Sequence, residues 1–336
     1  MRIAVDTMGG DLGSELPIRG AIGALKKKKN LEIILLGPEE QLRKQVRDIV
    51  GDNTSLLKRL HIEHASEIIG MDESPVEAVR RKKNATIMVG FDLVRNNKAD
   101  GVISAGNSGA TMAAAIRKLG RLKGVARPGI ASFFPTLKKP VMIMDIGANV
   151  DCRPNHLLQF AIMASSCSRI LNSIEQPSIG LLSIGEEAGK GNTLVKETHE
   201  LLLGSSLNFR GNVEGRDVYK GEVDVIICDG FVGNVALKVS EGLADAAAQM
   251  LRVEISKTWR AKLGYLLIRK AFARFKQRVD YAEYGGAPLL GINGTGIICH
   301  GTSDALALEN AVFVAADMIE NNVNAAITRA LVEYNA

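Results

Sequence analysis

The feature that most constrains this chain is a unit that returns five times: a short apolar run followed by a loop rich in Gly and in Asn or Asp. Residues 3–6 lead into Met8-Gly9-Gly10-Asp11, and residues 101–105 lead into Gly106-Asn107-Ser108-Gly109-Ala110-Thr111. Residues 141–145 lead into Gly147-Ala148-Asn149-Val150-Asp151, residues 181–184 into a loop carrying Lys190, and residues 225–228 into Asp229-Gly230-Phe231-Val232-Gly233-Asn234. Continuous apolar runs this short read as buried strands, and most of the loops are followed by helical spacing. Strands alternating with helices imply an α/β fold, a three-layer α/β/α arrangement around a mostly parallel sheet with right-handed crossovers. Such sheets bind ligands at the carboxyl ends of their strands, so five polar loops gathered on one edge would make a site.

The stretch 181–192, LLSIGEEAGKGN, sets Lys190 between two glycines where a strand hands over to a helix. Unpaired N–H groups at a helix start, glycines that admit a close ligand and a mobile cation together suit an anion. The segment is not a phosphate-binding P-loop, because Gly185 is one residue too close and Gly191 stands where Ser or Thr should be. It is not a dinucleotide fingerprint either, since Leu194 replaces the third glycine. Anion binding without a nucleotide is one reading; a glycine-rich turn with a surface lysine is the other.

Asn107, Ser108 and Thr111 can donate to oxygen at their strand-to-helix turn. Asp145, Asp151, Glu186, Glu187 and Asp229 could hold a divalent cation, or could cap turns and orient Lys190; the second reading is preferred, so no metal and no cofactor are expected. His300 ends an apolar run over 297–299, as a general base or as a histidine packed behind the site. Candidate substrate or phosphate contacts are therefore Gly9, Gly10, Asp11, Asn107, Ser108, Gly109, Asn149, Gly185, Gly191, Asp229, Gly230 and His300. His61 and His64 lack a partner at ligand spacing and read as surface or edge residues.

Composition excludes several classes. Aromatics are 4% of the chain, too few for a base-stacking nucleic-acid surface. The four cysteines, Cys152, Cys167, Cys228 and Cys299, are widely spaced, against zinc and against a disulfide framework, which suits a reduced cytoplasmic setting. Nothing at the amino terminus reads as a signal peptide, and no apolar stretch reaches the ~18 residues that span a bilayer. The net charge of +5 is local: residues 252–279 carry nine Lys or Arg and one Glu, leaving 33 basic against 36 acidic residues elsewhere.

That basic segment is expected to form two helices meeting at an apolar tip, Gly264-Tyr265-Leu266-Leu267-Ile268, collared by Arg260, Lys262, Arg269 and Lys270. The whole 241–282 excursion would leave a single domain of 1–336. A greasy tip with a cationic collar has the composition of an interfacial membrane anchor; the alternative is a dimer interface. Four consecutive cations, residues 80–83, offer a second face to an acidic partner, or are simply solvated.

Taken together, VDTMGGD (5–11), PVEAVRRKKN (75–84), ISAGNSGA (103–110), DIGANVD (145–151), GKGN (189–192), DGFVGN (229–234), YGGAPLLG (284–291) and HGTSD (300–304) resemble the bacterial phosphate acyltransferases of the PlsX family, nearly end to end. The resemblance implies conversion of acyl carrier protein thioester and inorganic phosphate into acyl phosphate for phospholipid synthesis, by a homodimer attached peripherally to the inner face of the membrane. It implies a fold similar to the isocitrate and isopropylmalate dehydrogenases and the phosphotransacetylases. The family's essential lysine falls on Lys190 and its essential asparagine on Asn234, with Tyr265, Leu266, Leu267 and Ile268 as membrane contacts. Partners implied are the acidic carrier protein, phosphate and an anionic membrane surface, and no nucleic acid. Leu12-Gly13-Ser14 departs from the family's His-Ala-Pro, so a histidine role there is absent. Rival readings are a phosphotransacetylase using coenzyme A, a dehydrogenase on the related scaffold, and a non-catalytic membrane scaffold.

Overall fold

The computed structural model describes residues 1–51, 53–279 and 284–335; the last residues of the expected excursion, 280–282, lie outside them. The first stretch runs β1 (Arg2–Asp6), α1 (Glu15–Lys27), β2 (Glu32–Gly37), α2 (Glu39–Val50), α3 (Thr54–Leu57), β3 (Leu60–His64), α4 (Pro75–Arg81), α5 (Thr86–Arg95), β4 (Gly101–Ser104) and α6 (Ser108–Leu119). It continues through β5 (Gly129–Phe134), β6 (Val141–Met144), α7 (Pro154–Leu171), β7 (Ile179–Leu182), α8 (Thr193–Leu203), β8 (Phe209–Val213) and β9 (Val225–Ile227). The chain closes with α9 (Gly230–Ser256), α10 (Trp259–Val279), β10 (Ala287–Leu290), β11 (Thr295–Ile298), α11 (Ala305–Glu320) and α12 (Val323–Asn335).

The described strands form one sheet in the order β3-β2-β1-β4-β11-β10-β5-β6-β9-β7-β8. Side chains alternate across a strand, and the core divides accordingly. Ile3, Val5, Ile33, Leu35, Met142 and Met144 pack with α1, α7, α8, α11 and α12, whereas Ala4, Ile34, Leu36, Val141 and Ile143 pack with α4, α5 and α6. Phe160 and Phe91 are fully buried anchors of the two faces, each worth about 1.5–3 kcal/mol of hydrophobic burial. The result is the three-layer arrangement expected.

Direction is where the sheet departs from the simple pattern. The strands β3, β2, β1, β4 and β11 are mutually parallel, and so are β6, β9, β7 and β8. Between them β10 runs antiparallel to both β11 and β5, and β5 antiparallel to β6. Three reversals leave the two parallel halves pointing opposite ways. The loops after β1, β4 and β11 therefore do not share an edge with those after β6, β9 and β7, and the expectation of five loops on one edge is corrected. The strand β10 is short and bounded by Gly285, Gly286 and Gly291, and its Pro288 brings no N–H to the ladder.

The basic hairpin is also built differently from expectation. α9 is one helix of 27 residues, of which only Gly230 and Gly233 are buried, so its distal half stands clear of the body. The chain turns at Lys257-Thr258, where Thr258 Oγ1 accepts from Ala261 N at 3.2 Å and caps α10. Tyr265, Leu266, Leu267 and Ile268 consequently lie within the first half of α10, not at the tip. Gly264 costs a helix about 1 kcal/mol relative to Ala, too little to stop it there.

Candidate functional site

The glycines after β1 serve loop-on-loop packing. Asp6 is buried and accepts from Met8 N at 3.0 Å, Gly9 N at 3.1 Å and Ser104 Oγ at 2.8 Å. Burial pushes its carboxyl above the usual range against these hydrogen bonds. A Cβ on Gly9 would stand 2.6 Å from Asp6 Oδ2 and 2.9 Å from the Gly106 Cα, so only Gly lets the two loops touch. Gly10 meets Ala105 and Gly301, and Asp11 N donates to Gly301 O at 2.8 Å. The tips of β1, β4 and β11 are thereby locked together.

Asn107 is spent on structure. Its Oδ1 accepts from Ala110 N at 3.0 Å, capping α6, while its Nδ2 donates to Met71 O at 3.0 Å and Glu73 O at 3.2 Å. Gly109 lets Pro75 of α4 lie against the same turn. Ser108 is left exposed at the first position of α6, its hydroxyl without a side-chain hydrogen bond among the described residues.

The loops after β6 and β9 interlock in the same way. Asp145 accepts from Ile130 N at 3.0 Å, Ala148 N at 3.1 Å, Asn149 N at 2.6 Å and Asn149 Nδ2 at 2.9 Å. Asn149 donates further to Pro128 O at 2.8 Å, and its carbonyl accepts from Gly230 N at 2.8 Å. Asp229 caps α9 by accepting from Phe231 N and Val232 N, both at 2.9 Å. Gly233 then presses the helix onto the Asp145 carbonyl, which occupies the place a Cβ would need. One residue later Asn234 is exposed beside Gly147, its amide without a partner among the described residues.

The two halves meet in a cleft of about 320 Å³ over β10 and β5. Ser108 and His300 reach it from one half and Gly147 and Asn234 from the other, with Ile130, Ile146, Leu237, Ala287 and Ile298 as apolar wall and Cys299 behind. Lys238 and Glu241 also line it. The Lys238 Nζ lies 2.8 Å from Glu241 Oε2 and 3.1 Å from His300 Nε2, and His300 Nδ1 lies 2.8 Å from Thr302 Oγ1. Sequence reasoning missed both Lys238 and Glu241, although Asn234, Leu237, Lys238 and Glu241 follow the i, i+3, i+4, i+7 rule of one helical face. That stripe was the available signal.

Lys190 sits on the loop after β7, next to β9 in the sheet, so its loop and that of Asp229 to Asn234 are neighbours on one carboxyl edge. Lys190 N donates to Glu187 O at 2.9 Å, and Asn212 Nδ2 donates to the same carbonyl at 2.9 Å. Gly185 is buried against the stem of Lys190, Gly191 takes a φ of +102°, and Asn192 caps α8 by accepting from Val195 N at 2.9 Å. The Lys190 ammonium is exposed, without an ion pair among the described residues, and is not one of the cleft's walls. His61 and His64 lie on the edge strand β3.

A family model described as fatty acid synthesis protein matches residues 1–326. The chain is 53% identical to the phosphate acyltransferase of Pelobacter propionicus, over 96% of this chain and 92% of that one. It is 51% identical to the phosphate acyltransferase of Geobacter sulfurreducens, with the same coverage. Among solved structures, a phosphotransacetylase from Streptococcus pyogenes superposes with a TM-score of 0.64 at 20% identity, covering 95% of this chain and 94% of that one. The EutD phosphotransacetylase from Staphylococcus aureus gives 0.60 at 17% identity, covering 94% of each. The last two likenesses concern the fold.

Proposed function

Because the chain belongs to the phosphate acyltransferases, within the family described as fatty acid synthesis protein, we propose that this acyltransferase takes its acyl group from a long-chain thioester of acyl carrier protein. A phosphate oxygen attacks the thioester carbonyl, the C–S bond breaks, and the phosphate proton ends on the departing sulfur. Acyl phosphate and free carrier thiol result, a first step toward phosphatidic acid.

The observation that carries this reading is the donor-lined cleft, where the Asn234 amide and the Ser108 hydroxyl are uncommitted among the described residues. Burial pushes Cys299 up to about 12 and Cys152 up to about 11, the latter with help from the charges of Asp145 and Asp229. A thiolate is the reactive form, so an acyl-cysteine intermediate is disfavoured. Phosphate brings its own nucleophilic oxygen, and the protein has mainly to position it and manage charge. In this reading Lys190 swings from its loop to neutralise phosphate or the developing thioester oxyanion, and Asn234 donates to the same oxygens. No cofactor enters the scheme.

The test is phosphate-dependent release of carrier thiol from a long-chain acyl carrier, with the coenzyme A thioester of the same chain as comparison. Lys190→Ala and Asn234→Ala should each lower the rate by roughly a hundredfold to a thousandfold, the usual loss for a preorganised donor. A wild-type chain that releases no thiol sinks the substrate assignment; faster turnover of the coenzyme A ester hands it to the rival; a folded Lys190→Ala at full rate removes that residue.

The partners belong to the same proposal. An acidic carrier would dock on the exposed Arg80, Arg81 and Lys83, since Lys82 is already paired with Glu73 and the Ile68 carbonyl, or on the collar of the hairpin. The exposed apolar faces of α9 and α10 would serve a homodimer and an anionic membrane surface. Among the described residues no helix is long and apolar enough to cross a membrane.

A further inference from the structure

We propose that Lys238 is a phosphate-binding residue of the cleft, held by Glu241 and His300 so that one N–H donor remains for the incoming anion. The proposal deepens the reading above and rests on it for the identity of the anion.

Position comes first. Lys238 follows Asn234 by four residues on α9, which puts the two on one face, about 6 Å apart along the axis. Both line the same cleft. An ammonium has three donors and no acceptor, so its 3.1 Å contact with His300 assigns the Nε2 atom as acceptor. On the other side of the ring Nδ1 lies 2.8 Å from Thr302 Oγ1 and 3.3 Å from Thr302 N, so the imidazole is held from both sides. Glu241 takes the second donor at 2.8 Å. One donor of the three is left.

The fixed partners matter because a free lysine stem loses considerable rotamer freedom on binding. Lys238 has lost part of it already, whereas Lys190 carries no such clamp. Among the described residues, the cleft offers at least three uncommitted donors: the Ser108 hydroxyl, the Asn234 amide and the last N–H of Lys238. The carboxylate of Glu241 is turned to Lys238 and is the less exposed of the pair, 18% against 50%. A compact, oxygen-rich anion satisfies three such donors at once, while the apolar wall leaves room for carbon next to it.

Calorimetric titration of inorganic phosphate into the full chain tests the site without requiring turnover. Lys238→Gln should weaken phosphate by at least roughly tenfold, the worth of one charge-assisted hydrogen bond. Lys238→Arg should restore most of the affinity. In thiol release the same Gln variant should raise the KM for phosphate and leave that for the acyl carrier unchanged. Wild-type affinity for phosphate in Lys238→Gln, or none in the wild type, overturns the inference. An equal rise in both KM values together with a lowered Tm would show a clamp between α9 and the His300 loop and overturn it as well. A wild type that binds phosphate but releases no carrier thiol leaves this site standing and removes only the acyl-transfer reading.

Discussion

Three asparagines in look-alike glycine-rich turns end with different duties, and the difference is set by partners far away in the chain. Asn107 holds its helix and the carbonyls of Met71 and Glu73, Asn149 holds Pro128 and Asp145, and only Asn234 keeps its amide. From sequence each could be donor or cap, because an amide's commitment depends on which backbone group folds back to it. Lys238 escaped notice for a related reason: its meaning lies in a helical stripe and in His300, 62 residues on. Gly233 is the residue whose replacement tests how tightly Asn234 is placed. A Cβ there meets the Asp145 carbonyl, backbone that cannot rotate aside, so Gly233→Ala should cost about 1–3 kcal/mol by overpacking and depress thiol release in the fraction that folds. Unfolding in urea measures the first, and an unchanged midpoint would show that α9 is free to shift. The thiols give a further expectation. With Cys152 and Cys299 protonated at neutral pH, iodoacetamide should inactivate slowly, and fast inactivation relieved by the acyl carrier would instead indicate an acyl-cysteine.

At the scale of elements, local rules identified the strands that end in polar loops, β1, β4, β6, β7 and β9, and failed where an element breaks its own rule. β10 contains Pro288 between glycines, and its pairing is shared between two antiparallel neighbours, β11 through Ala287 and Pro288 and β5 through Leu289 and Leu290. Nothing local marks such a strand. The hairpin misled in the other sense, since Gly264 looks like a turn but lies in an unbroken helix, while the real turn is marked by the modest Thr258 cap. Leu266, Leu267 and Ile268 of α10 remain exposed, Leu267 at 82%. If they meet an anionic membrane, Leu267→Glu should weaken sedimentation with anionic vesicles and leave thermal unfolding unchanged, because the side chain contributes little to the core. Vesicle binding equal to wild type would leave α10 to the dimer.

At the scale of the whole molecule, the two opposed parallel halves give the cleft its character, because loops after the carboxyl ends of strands running in opposite directions meet over the antiparallel pair. The charge is distributed with similar asymmetry: nine basic residues and one acid sit in 252–279, against a slightly acidic remainder. Raising salt should increase the KM for an acidic carrier more than that for phosphate, since exposed charges are screened within about 10 Å at 0.1 M; equal sensitivity would speak against a charged docking face. The amino-acid sequence alone determined that this is a layered α/β chain with polar loops at strand ends and one strongly basic helical segment. It could do so because burial imprints a period of two or of 3.6 on neighbouring residues. Only the tertiary structure decided that β10 and β5 reverse the sheet, that Asn234 is spared while Asn107 and Asn149 are spent, and that Lys238 faces His300. Strand direction and hydrogen-bond commitment are properties of pairs distant in the chain, and no local period records them.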